Sequence, residues 1–405
     1  MHNKIFQSPI LNQSKRVGII GGGQLAWMMA VAAESLGIEL VIQTPYASDP
    51  AVAIASENIF ASIDDAAATA KLAARCDVIT FENEFINLNA LMPLARQGVC
   101  FHPSLTALAP LLDKYQQRCY LKEIGLPQAG FMSLEGKLDK EELGLVEVSG
   151  QSIKLNDLEF PLVLKARRQG YDGKGTFIIK DSSSLDATWQ QLKYEPVMLE
   201  EFVGFERELA VIAARSVTGK VVVYPVVETQ QEEQVCRRVI VPAEISSTLA
   251  TEINAIASTL LNSLQVVGVF GIELFLTTTG KVLVNEVSPR THNSGHYTLD
   301  ACETSQFEQQ LRAVIGLPLG SPKMHCTGAV MVNLLGYEHS QYEYLEKRQK
   351  LASLPNSFVH WYGKKESRPG RKLGHVTVLE KGDDKLSNRN WQQEVIEKVE
   401  SLWYG

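Results

Sequence analysis

The 405-residue sequence has few of the features that are typical of secreted proteins, of proteins with structural metal sites or of membrane proteins. Its six cysteines are scattered, with no CxxC pair and no Cys/His cluster at zinc spacing, which argues against a disulfide framework or a structural zinc site. No segment reaches the ~20 apolar residues of a membrane span, and residues 1–16 carry no apolar core of signal-peptide length. We therefore expect a cytoplasmic protein without a membrane partner.

Positive charge is also scarce, because 39 Lys and Arg stand against 46 Asp and Glu and give a net charge of -7. Sequence-independent binding to nucleic acid needs a basic surface, so no nucleic-acid partner is predicted. A hydrophobic content of 45% and the absence of low-complexity tracts predict ordinary folded domains. At roughly 100–200 residues per domain, the length fits two or three domains, and we expect three.

The first domain is predicted over residues 1–110 as a parallel α/β unit. An apolar strand at 17–20, a helix at 24–36 and a second strand at 38–43 form a βαβ pattern. A helix predicted at 107–124 leads into the next domain.

The turn between that first strand and helix, Gly21-Gly22-Gly23-Gln24-Leu25-Ala26, fits the GxGxxA form of the dinucleotide fingerprint. A nicotinamide-dependent oxidoreductase is therefore one alternative. The second strand, however, ends at Gln43-Thr44-Pro45, without the acidic residue that holds a ribose in such folds. The glycines could instead permit only a tight turn, or the helix start could bind another phosphate or polar ligand. NAD binding ranks lowest of the three.

The second domain is predicted over 111–315 and a smaller, β-rich third domain over 316–405, so that the fold class is α/β with α+β. The predicted strands that follow the first domain lie at 161–165, 176–180, 197–202, 208–214, 221–227, 329–334, 357–362 and 375–379.

Two glutamates are predicted to face each other across a hairpin near residue 280. If Thr279-Gly280 is a two-residue loop, Thr278 pairs with Lys281 and, further out, Glu273 pairs with Glu286. Like charges directly opposite destabilise a sheet unless a cation lies between them, and carboxylates with phosphate oxygens are usual ligands of magnesium. A hairpin face that simply points into water is at least as probable for an isolated pair, so other features must decide.

Those features precede the hairpin. Lys165 ends a buried-type strand, and residues 169–176 form a glycine-rich loop with its own lysine, so that backbone amides and two lysines could cover a triphosphate. Alone, this loop could be a plain hairpin turn. The strand at 198–203 offers backbone groups and apolar side chains for a purine ring, and Glu208 lies where ribose hydroxyls could bind, although by itself that strand is only core.

The order of Lys165, the glycine loop, the 200–203 run, Glu208, Glu273 and Asn285-Glu286 resembles the ATP-grasp superfamily. More narrowly, the sequence resembles the 5-(carboxyamino)imidazole ribonucleotide synthetase (PurK) family of purine biosynthesis. Residues 21–29, 80–84, 290–296 and 363–375 also match its motifs, so the resemblance covers nearly the whole chain. It implies an ATP-grasp fold with an N-terminal Rossmann-like (preATP-grasp) βαβ domain and a small C-terminal β-rich domain.

The resemblance implies a reaction in which ATP phosphorylates bicarbonate to carboxyphosphate, whose carbon dioxide is captured by the amine of 5-aminoimidazole ribonucleotide. It also implies ATP and Mg²⁺ as cofactors and a homodimer. Such phosphoryl transfer asks a protein mostly for positioning and charge neutralisation. The alternatives are another ATP-grasp ligase, such as a formate-dependent glycinamide ribonucleotide transformylase, and a non-catalytic nucleotide-binding regulator. The intact Glu273 and Glu286 argue against the regulator.

The residues that match family motifs take their predicted roles from the resemblance. ATP is predicted to contact Lys114, Lys165, Gly170, Tyr171, Asp172, Gly173, Lys174, Gly175, Thr176, Glu200, Glu201, Phe202, Val203, Glu208, Gln231, Asn285 and Glu286, with Glu273 and Glu286 on the metal. The predicted catalytic residues are Tyr171, Asp172, Lys174, Arg290 and His292. The predicted contacts to substrate are Gln24, Leu25, Glu82, Asn293, Ser294, His296, Lys364 and Arg371. Gln231 stands where the family often has a histidine.

Overall fold

A computed structural model describes residues 15–135, 145–148, 151–154, 158–168, 175–380 and 389–405. The chain divides into two compact units, Met1–His102 and Pro103–Gly405. The three-domain division at 110 and 315 stays a prediction. Within the described ranges, no helix combines the length and the apolar character needed to cross a bilayer.

The first unit is a four-stranded parallel sheet in the order β3-β2-β1-β4. The βαβ prediction is confirmed, and the helix has the predicted bounds. Gly37, at φ 63°, ends that helix in the left-handed conformation. The elements of this unit are β1 (Arg16–Ile20), α1 (Gln24–Leu36), β2 (Glu39–Thr44), β3 (Glu57–Phe60), α2 (Ala66–Ala73), β4 (Val78–Phe81) and α3 (Leu88–Arg96).

The prediction of one helix over 107–124 was wrong. The chain instead forms a short helix α4 (Leu105–Leu108), a 3-10 turn (Ala109–Leu111) and then α5 (Lys114–Glu123). Pro110 lies in the first turn of the 3-10 segment, and Asp113 accepts hydrogen bonds from the amides of Tyr115 and Gln116 and so begins a new helix. The break makes Lys114 the first residue of α5.

The second unit contains an antiparallel six-stranded sheet in the order β7-β6-β5-β10-β8-β9. Leu185 and Trp189 of α6 pack on one face of it, against Leu164 and Leu199. Its elements are β5 (Phe131–Glu135), β6 (Leu145–Val148), β7 (Gln151–Lys154), β8 (Leu162–Ala166), β9 (Thr176–Ile179), α6 (Ser182–Gln191) and β10 (Val197–Glu201).

The second unit also contains a nine-stranded sheet in the order β16-β15-β11-β13-β14-β17-β19-β18, with β12 paired to β11. The strands β17, β18 and β19, predicted for the third domain, therefore continue the sheet that carries the glutamate hairpin. Its elements are β11 (Phe205–Arg215), β12 (Val221–Val223), β13 (Val227–Glu232), β14 (Val235–Val241), α7 (Ser247–Leu264), β15 (Gly268–Thr277), β16 (Val282–Ser288), α8 (Thr298–Ala301), α9 (Gln306–Val314), β17 (Gly328–Leu335), α10 (Leu345–Ala352), β18 (Ser357–Trp361), β19 (Lys372–Glu380) and α11 (Arg389–Tyr404).

The two faces of this sheet have different partners. Alternate residues of β11 and β15, including Leu209, Val211 and Leu274, pack with α7 in one core. The residues between them, among them Ala210 and Ile212, face a second core. Glu208 and Glu273 share this second face, because they alternate with the residues of the first core.

Candidate active site

The paired carboxylates predicted on the hairpin are confirmed, since Glu273 and Glu286 are register partners on β15 and β16. The predicted two-residue loop was wrong. The Thr277 amide donates to the Lys281 carbonyl at 2.9 Å, which leaves a three-residue loop closed by Gly280 at φ 79°. A type I turn followed by a left-handed glycine is the usual three-residue hairpin loop.

The observed loop is one residue longer than the predicted one, and a β-bulge compensates so that Glu273 still pairs with Glu286. From the turn outward, Leu276 pairs with Val282 and Leu274 with Val284, and this register would place Asn285 opposite Glu273. The register shifts by one residue between Leu274 and Glu273, so that Asn285 is the extra residue on β16. Val284 and Val287 both belong to the core under α7. The bulge thus leaves two consecutive polar side chains, Asn285 and Glu286, outside that core.

Two lysines from different elements meet these side chains. Lys114 Nζ lies 2.7 Å from Glu286 Oε2, and Lys165 Nζ lies 2.6 Å from Glu200 Oε2 and 3.2 Å from Asn285 Oδ1. Burial alone would raise the pKa of Glu286, but the Lys114 ammonium outweighs it and lowers that pKa to about 2. Burial likewise opposes the charge on Lys114, yet Glu286 raises the lysine pKa. Both partners are therefore charged at neutral pH.

The start of α5 is attached to the strand that precedes the glycine loop. Arg167 Nε lies 3.0 Å from both carboxylate oxygens of Asp113, the N-cap of α5, and the Lys114 amide donates to the Arg167 carbonyl at 2.9 Å. Gly175, at φ 81°, accepts a hydrogen bond from the Ala166 amide. Thr176 pairs with Lys165 in the β8–β9 ladder. The predicted loop residues Gly170, Tyr171, Asp172, Gly173 and Lys174 lie outside the described residues.

Two residues of α5 were missed by the sequence analysis. Arg118 is 2% exposed and donates to the Glu200 carboxylate, to the Val284 carbonyl at 2.5 Å and to the Asn285 carbonyl at 2.7 Å. Gln117 accepts from the Val287 amide at 2.8 Å and donates to the Val287 carbonyl at 3.0 Å. Their polarity within a helix that begins at Lys114 is the only sequence signal, and it does not reveal their partners.

The remaining predicted nucleotide contacts lie along β10, β11 and β13. Glu201 Oε2 accepts from the Gly130 amide at 3.1 Å, while Phe202 is 45% exposed and Val203 is half-buried. Glu208 is a register partner of Phe275, and burial together with the Glu273 charge raises the pKa of Glu208 to about 7.

Gln231 is exposed, beyond an irregularity in the β13–β14 ladder between Gln230 and Gln231. Its register partner is Cys236, near the end of that hairpin. Its contact with ATP stays a prediction.

His292 is placed next to the carboxylate pair. Its Nε2 lies 3.3 Å from Glu273 Oε1 and its Nδ1 lies 2.9 Å from Ser294 Oγ. The Gln306 side chain accepts from the His292 amide at 2.9 Å and donates to the His292 carbonyl at 2.7 Å. A Cβ on Gly271 would overlap His292, so this position of β15 requires glycine. Arg290 Nη1 donates to the Thr291 carbonyl at 3.1 Å.

The other residues predicted around His292 point into the protein. Asn293 and Asn333 exchange two amide hydrogen bonds at 3.0 and 2.7 Å, and Ser294 is buried. His296 is 0% exposed, and burial lowers its pKa well below the ordinary value. In this geometry the three side chains support the segment that carries His292.

In the basic loop before β19, the two predicted cations, Lys364 and Arg371, donate to nearby main-chain carbonyls. Lys364 Nζ donates to the Lys372 carbonyl at 2.7 Å, and Arg371 Nη1 donates to the Glu366 carbonyl at 2.9 Å. The Lys364 ammonium also lies 5.6 Å from the centroid of the Tyr362 ring.

A second group of potential metal ligands occurs among the described residues at Asp300, His360 and His375. His360 Nε2 lies 2.9 Å from Asp300 Oδ2, and the two imidazole rings stack with centroids 4.5 Å apart and an interplanar angle of 16°. Nitrogen lone pairs lie in the ring plane, so nearly parallel stacked rings do not aim them at one point. This cluster is therefore hydrogen-bonded packing in this geometry.

In the first unit, Glu82 occupies the start of α1. Its carboxylate accepts from the Gly23 amide at 2.6 Å and the Leu25 amide at 3.1 Å, and Leu25 is itself buried. Gln24 lies between them as the first residue of α1. Burial raises the pKa of Glu82, although the helix amides oppose that shift. The helix N-terminus, where a dinucleotide would place its pyrophosphate, is taken by an internal carboxyl group, which disfavours the NAD alternative.

The close approach of Glu82 explains the glycines of the turn. A Cβ on Gly21 would lie 2.6 Å from Glu82 Oε2, and one on Gly23 would overlap Glu82 Oε1. Gly21 also has φ 114°, which other residues rarely adopt.

We expect Gly23→Ala to destabilise the first unit by about 1–3 kcal/mol, the usual cost of overpacking. In a Glu82→Ala background the same substitution should cost much less, because the overlapping carboxylate is gone. Urea denaturation of the four proteins of this double-mutant cycle, with hydrogen exchange of α1 peptides, measures the difference. Equal costs in both backgrounds would show that Glu82 is not what excludes a side chain at position 23.

Three protein families match consecutive parts of the chain. They are the ribonucleotide synthetase preATP-grasp domain over residues 14–110, the ATP-grasp domain over 121–307 and the phosphoribosylaminoimidazole carboxylase C-terminal domain over 329–389.

Whole-chain relatives agree with these matches. The sequence is 50% identical over 401 residues to N5-carboxyaminoimidazole ribonucleotide synthase of Synechococcus elongatus, covering 99% of this chain and 98% of that one. The crystal structure of N5-carboxyaminoimidazole ribonucleotide synthetase from Thermotoga maritima has a TM-score of 0.81 at 37% identity, covering 96% of this chain and 98% of that one. The synthase from Aspergillus clavatus, in complex with ADP and 5-aminoimidazole ribonucleotide, has a TM-score of 0.85 at 29% identity, covering 96% and 99%.

Proposed function

Because the chain belongs to the N5-carboxyaminoimidazole ribonucleotide synthases, ATP-grasp enzymes of purine biosynthesis, we propose that it joins bicarbonate to the amine of 5-aminoimidazole ribonucleotide at the expense of ATP. The observation that carries the proposal is the pairing of Glu273 with Glu286 beside two lysines in a chain of this family. ATP would phosphorylate bicarbonate, and the carboxyphosphate would deliver carbon dioxide to the amine while ADP and phosphate leave.

The hairpin fits a magnesium ion. Glu273 and Glu286 supply carboxylate oxygens and Asn285 an amide oxygen, which are ligand types that magnesium accepts. The Lys114 ammonium, 2.7 Å from Glu286, already acts as a cation in this place. When bound, magnesium would neutralise charge on the transferring phosphoryl oxygens. We assign the metal to Glu273 and Glu286, with Asn285 beside it.

The lysines and the glycine loop are proposed to hold the triphosphate. Lys114 and Lys165 provide two ammonium groups, and residues 170–176 provide backbone amides, with Lys174 as a third cation. Glu208 would accept hydrogen bonds from ribose hydroxyls. The backbone of 200–203 would receive the purine, with Phe202 supplying an exposed apolar surface. A contact from Gln231 is part of the same proposal.

Bicarbonate is proposed to lie near Arg290 and His292. A guanidinium binds a planar anion through paired hydrogen bonds, and His292 is held by Ser294 and Gln306 beside Glu273. Tyr171, Asp172 and Lys174 are proposed to act from the glycine loop. None of these roles needs a covalent enzyme intermediate, because positioning and charge neutralisation do most of the work in phosphoryl transfer.

For 5-aminoimidazole ribonucleotide, we propose contacts from the residues that match the family motifs. Gln24, Leu25 and Glu82 are assigned in the first unit, and Lys364 and Arg371 are assigned to the substrate phosphate in the second. Arg371 donates to the Glu366 carbonyl, and Lys364 donates to the Lys372 carbonyl with its Nζ 5.6 Å from the centroid of the Tyr362 ring. A further proposed set, positioned around His292, is Asn293, Ser294 and His296.

The homodimeric state and a cytoplasmic location complete the proposal. The first rests on the family resemblance and the second on the sequence composition. Sedimentation equilibrium across a range of protein concentrations would test the dimer, and a constant monomer mass would contradict it.

The proposed reaction is tested by ADP formation with different acceptors. We expect turnover of ATP to require 5-aminoimidazole ribonucleotide and bicarbonate together, and ¹³C-bicarbonate to give a labelled carbamate in the product. Glycinamide ribonucleotide with formate serves as the rival acceptor pair. Faster ADP formation with that pair, or ATP binding without turnover in the presence of any acceptor, would contradict the proposed activity.

A further inference from the structure

We infer that Arg118 is a positioning residue that fixes the β-bulge of β16 and thereby the place of Glu286. The inference rests on the proposed function of the site. Arg118 contacts no residue of the carboxylate pair directly. It acts through the main chain of Val284 and Asn285 and through the side chain of Glu200.

The bulge lies at an edge of the nine-stranded sheet, and this edge is covered by side chains of α5 and by Pro127. Among the residues that the structure describes, β16 is the edge strand of the nine-stranded sheet, and its outer side makes an isolated bridge between Val284 and Gln128. The Val284 amide donates to the Pro127 carbonyl at 2.8 Å, and Gln117 pairs with both main-chain groups of Val287. The two carbonyls between these contacts, those of Val284 and Asn285, both accept from Arg118. Buried carbonyls need such partners, and here one guanidinium supplies them.

The geometry calls for arginine in particular. Its Nη1 and Nη2 reach successive carbonyls at 2.5 and 2.7 Å, while Nε donates to Glu200 on β10 of the six-stranded sheet. The fork of a guanidinium makes three such bonds from one rigid plane. A lysine would keep the charge opposite Glu200 but would not reproduce the paired contacts to the bulge. Arg118 therefore joins the two sheets where Lys165 and Asn285 also meet.

Loss of these contacts should affect the metal site more than the ribonucleotide site. Without them the carbonyls of Val284 and Asn285 lose their partner, and a shift of the bulge along β16 would exchange the faces of Asn285 and Glu286. Lys364 and Arg371 donate instead to the main-chain carbonyls of Lys372 and Glu366. We therefore expect Arg118→Lys to raise the Mg²⁺ concentration for half-maximal turnover by about 10-fold or more, because loss of the residues that support metal ligands usually weakens metal binding by that much. We expect kcat to fall and the KM for 5-aminoimidazole ribonucleotide to remain near the wild-type value.

Arg215→Lys is the matched control. Arg215 also donates to a main-chain carbonyl, that of Val266 at 3.0 Å, and to Asn262 Oδ1 at 3.1 Å. It lies at the end of β11, paired with Gly268, five register positions from the partner of Glu273. This variant should lose thermal stability without a change in the Mg²⁺ requirement.

Direct metal binding separates this inference from the proposed reaction. Electron paramagnetic resonance of Mn²⁺ with ADP present should show weaker binding to Arg118→Lys than to wild type or Arg215→Lys, whichever acceptor the enzyme uses. If Arg118→Lys does not fold, Arg118→Gln, which leaves Glu200 paired with Lys165, is measured in the same way. Wild-type Mn²⁺ affinity in a folded Arg118 variant, with only a lower melting temperature, would overturn the inference. If wild type binds Mn²⁺ more tightly than Arg118→Lys but does not turn over 5-aminoimidazole ribonucleotide, the inference stands and the proposed function is contradicted.

Discussion

Glu286→Gln is expected to lower turnover by about 100-fold or more while the protein remains folded. Replacing one charged group at a phosphoryl or oxyanion site commonly has effects of this size. Glutamine keeps the shape of the side chain but removes the charge that pairs with Lys114 and that we assign to magnesium. Half-maximal activation should accordingly need much more Mg²⁺. Initial rates of ADP formation over a Mg²⁺ series, with circular dichroism as the check on folding, measure both effects.

Glu252→Gln provides the control for this substitution. Glu252 is exposed on α7, so this substitution makes the same chemical change away from the hairpin. Its kinetic constants should equal those of the wild type. If Glu286→Gln also turned over at the wild-type rate, the carboxylate pair would not be a metal site.

Glu200→Gln is expected to cost about 3 kcal/mol or more of folding free energy. Glu200 is 4% exposed and balances two buried cations, those of Arg118 and Lys165. Removing one partner of a buried ion pair leaves uncompensated charge, which typically costs about 3–5 kcal/mol. Urea denaturation gives the difference. The adjacent Glu201→Gln is the control, because Glu201 is exposed and accepts a hydrogen bond from the Gly130 amide. A similar loss of folding free energy in that variant would contradict the role given to Glu200.

The same carboxylate should make stability depend on pH in acid. Burial would raise the pKa of Glu200, but Arg118 and Lys165 together lower it below the ordinary 4.5. A carboxyl group whose pKa is depressed by folding stabilises the protein above its unfolded pKa, and that contribution is lost as the pH falls toward the folded pKa. The stability gap between wild type and Glu200→Gln should therefore be constant near neutral pH and narrow below about pH 4.5.

The carboxylate pair could be predicted from the sequence, but the path of the backbone that creates it could not. Counting outward from an assumed two-residue loop gave the correct partner for Glu273. In the structure, a longer loop and a bulge offset each other. The contacts that hold the bulge come from Arg118, 166 residues away from Val284 in the chain. Local propensities carry no information about such a distant partner.

The glycine turn shows the same limit in the first unit. Sequence reasoning predicted the strand, the turn and α1, and left three interpretations of the glycines open. The deciding residue is Glu82, 59 positions from Gly23, which fills the helix start from the end of a neighbouring parallel strand. The glycine loop between β8 and β9 stays a prediction, since residues 170–174 lie outside the described ranges.

The contacts along the edge of β16 make the strand alignment at the base of the hairpin independent of the loop at its tip. Because α5 side chains and the Pro127 carbonyl hold the strand from the side, the alignment of Glu273 with Glu286 does not depend on the length of the loop at residues 278–280. That tip is exposed. It can therefore accumulate substitutions, or accept a grafted peptide, while the acidic pair stays in alignment.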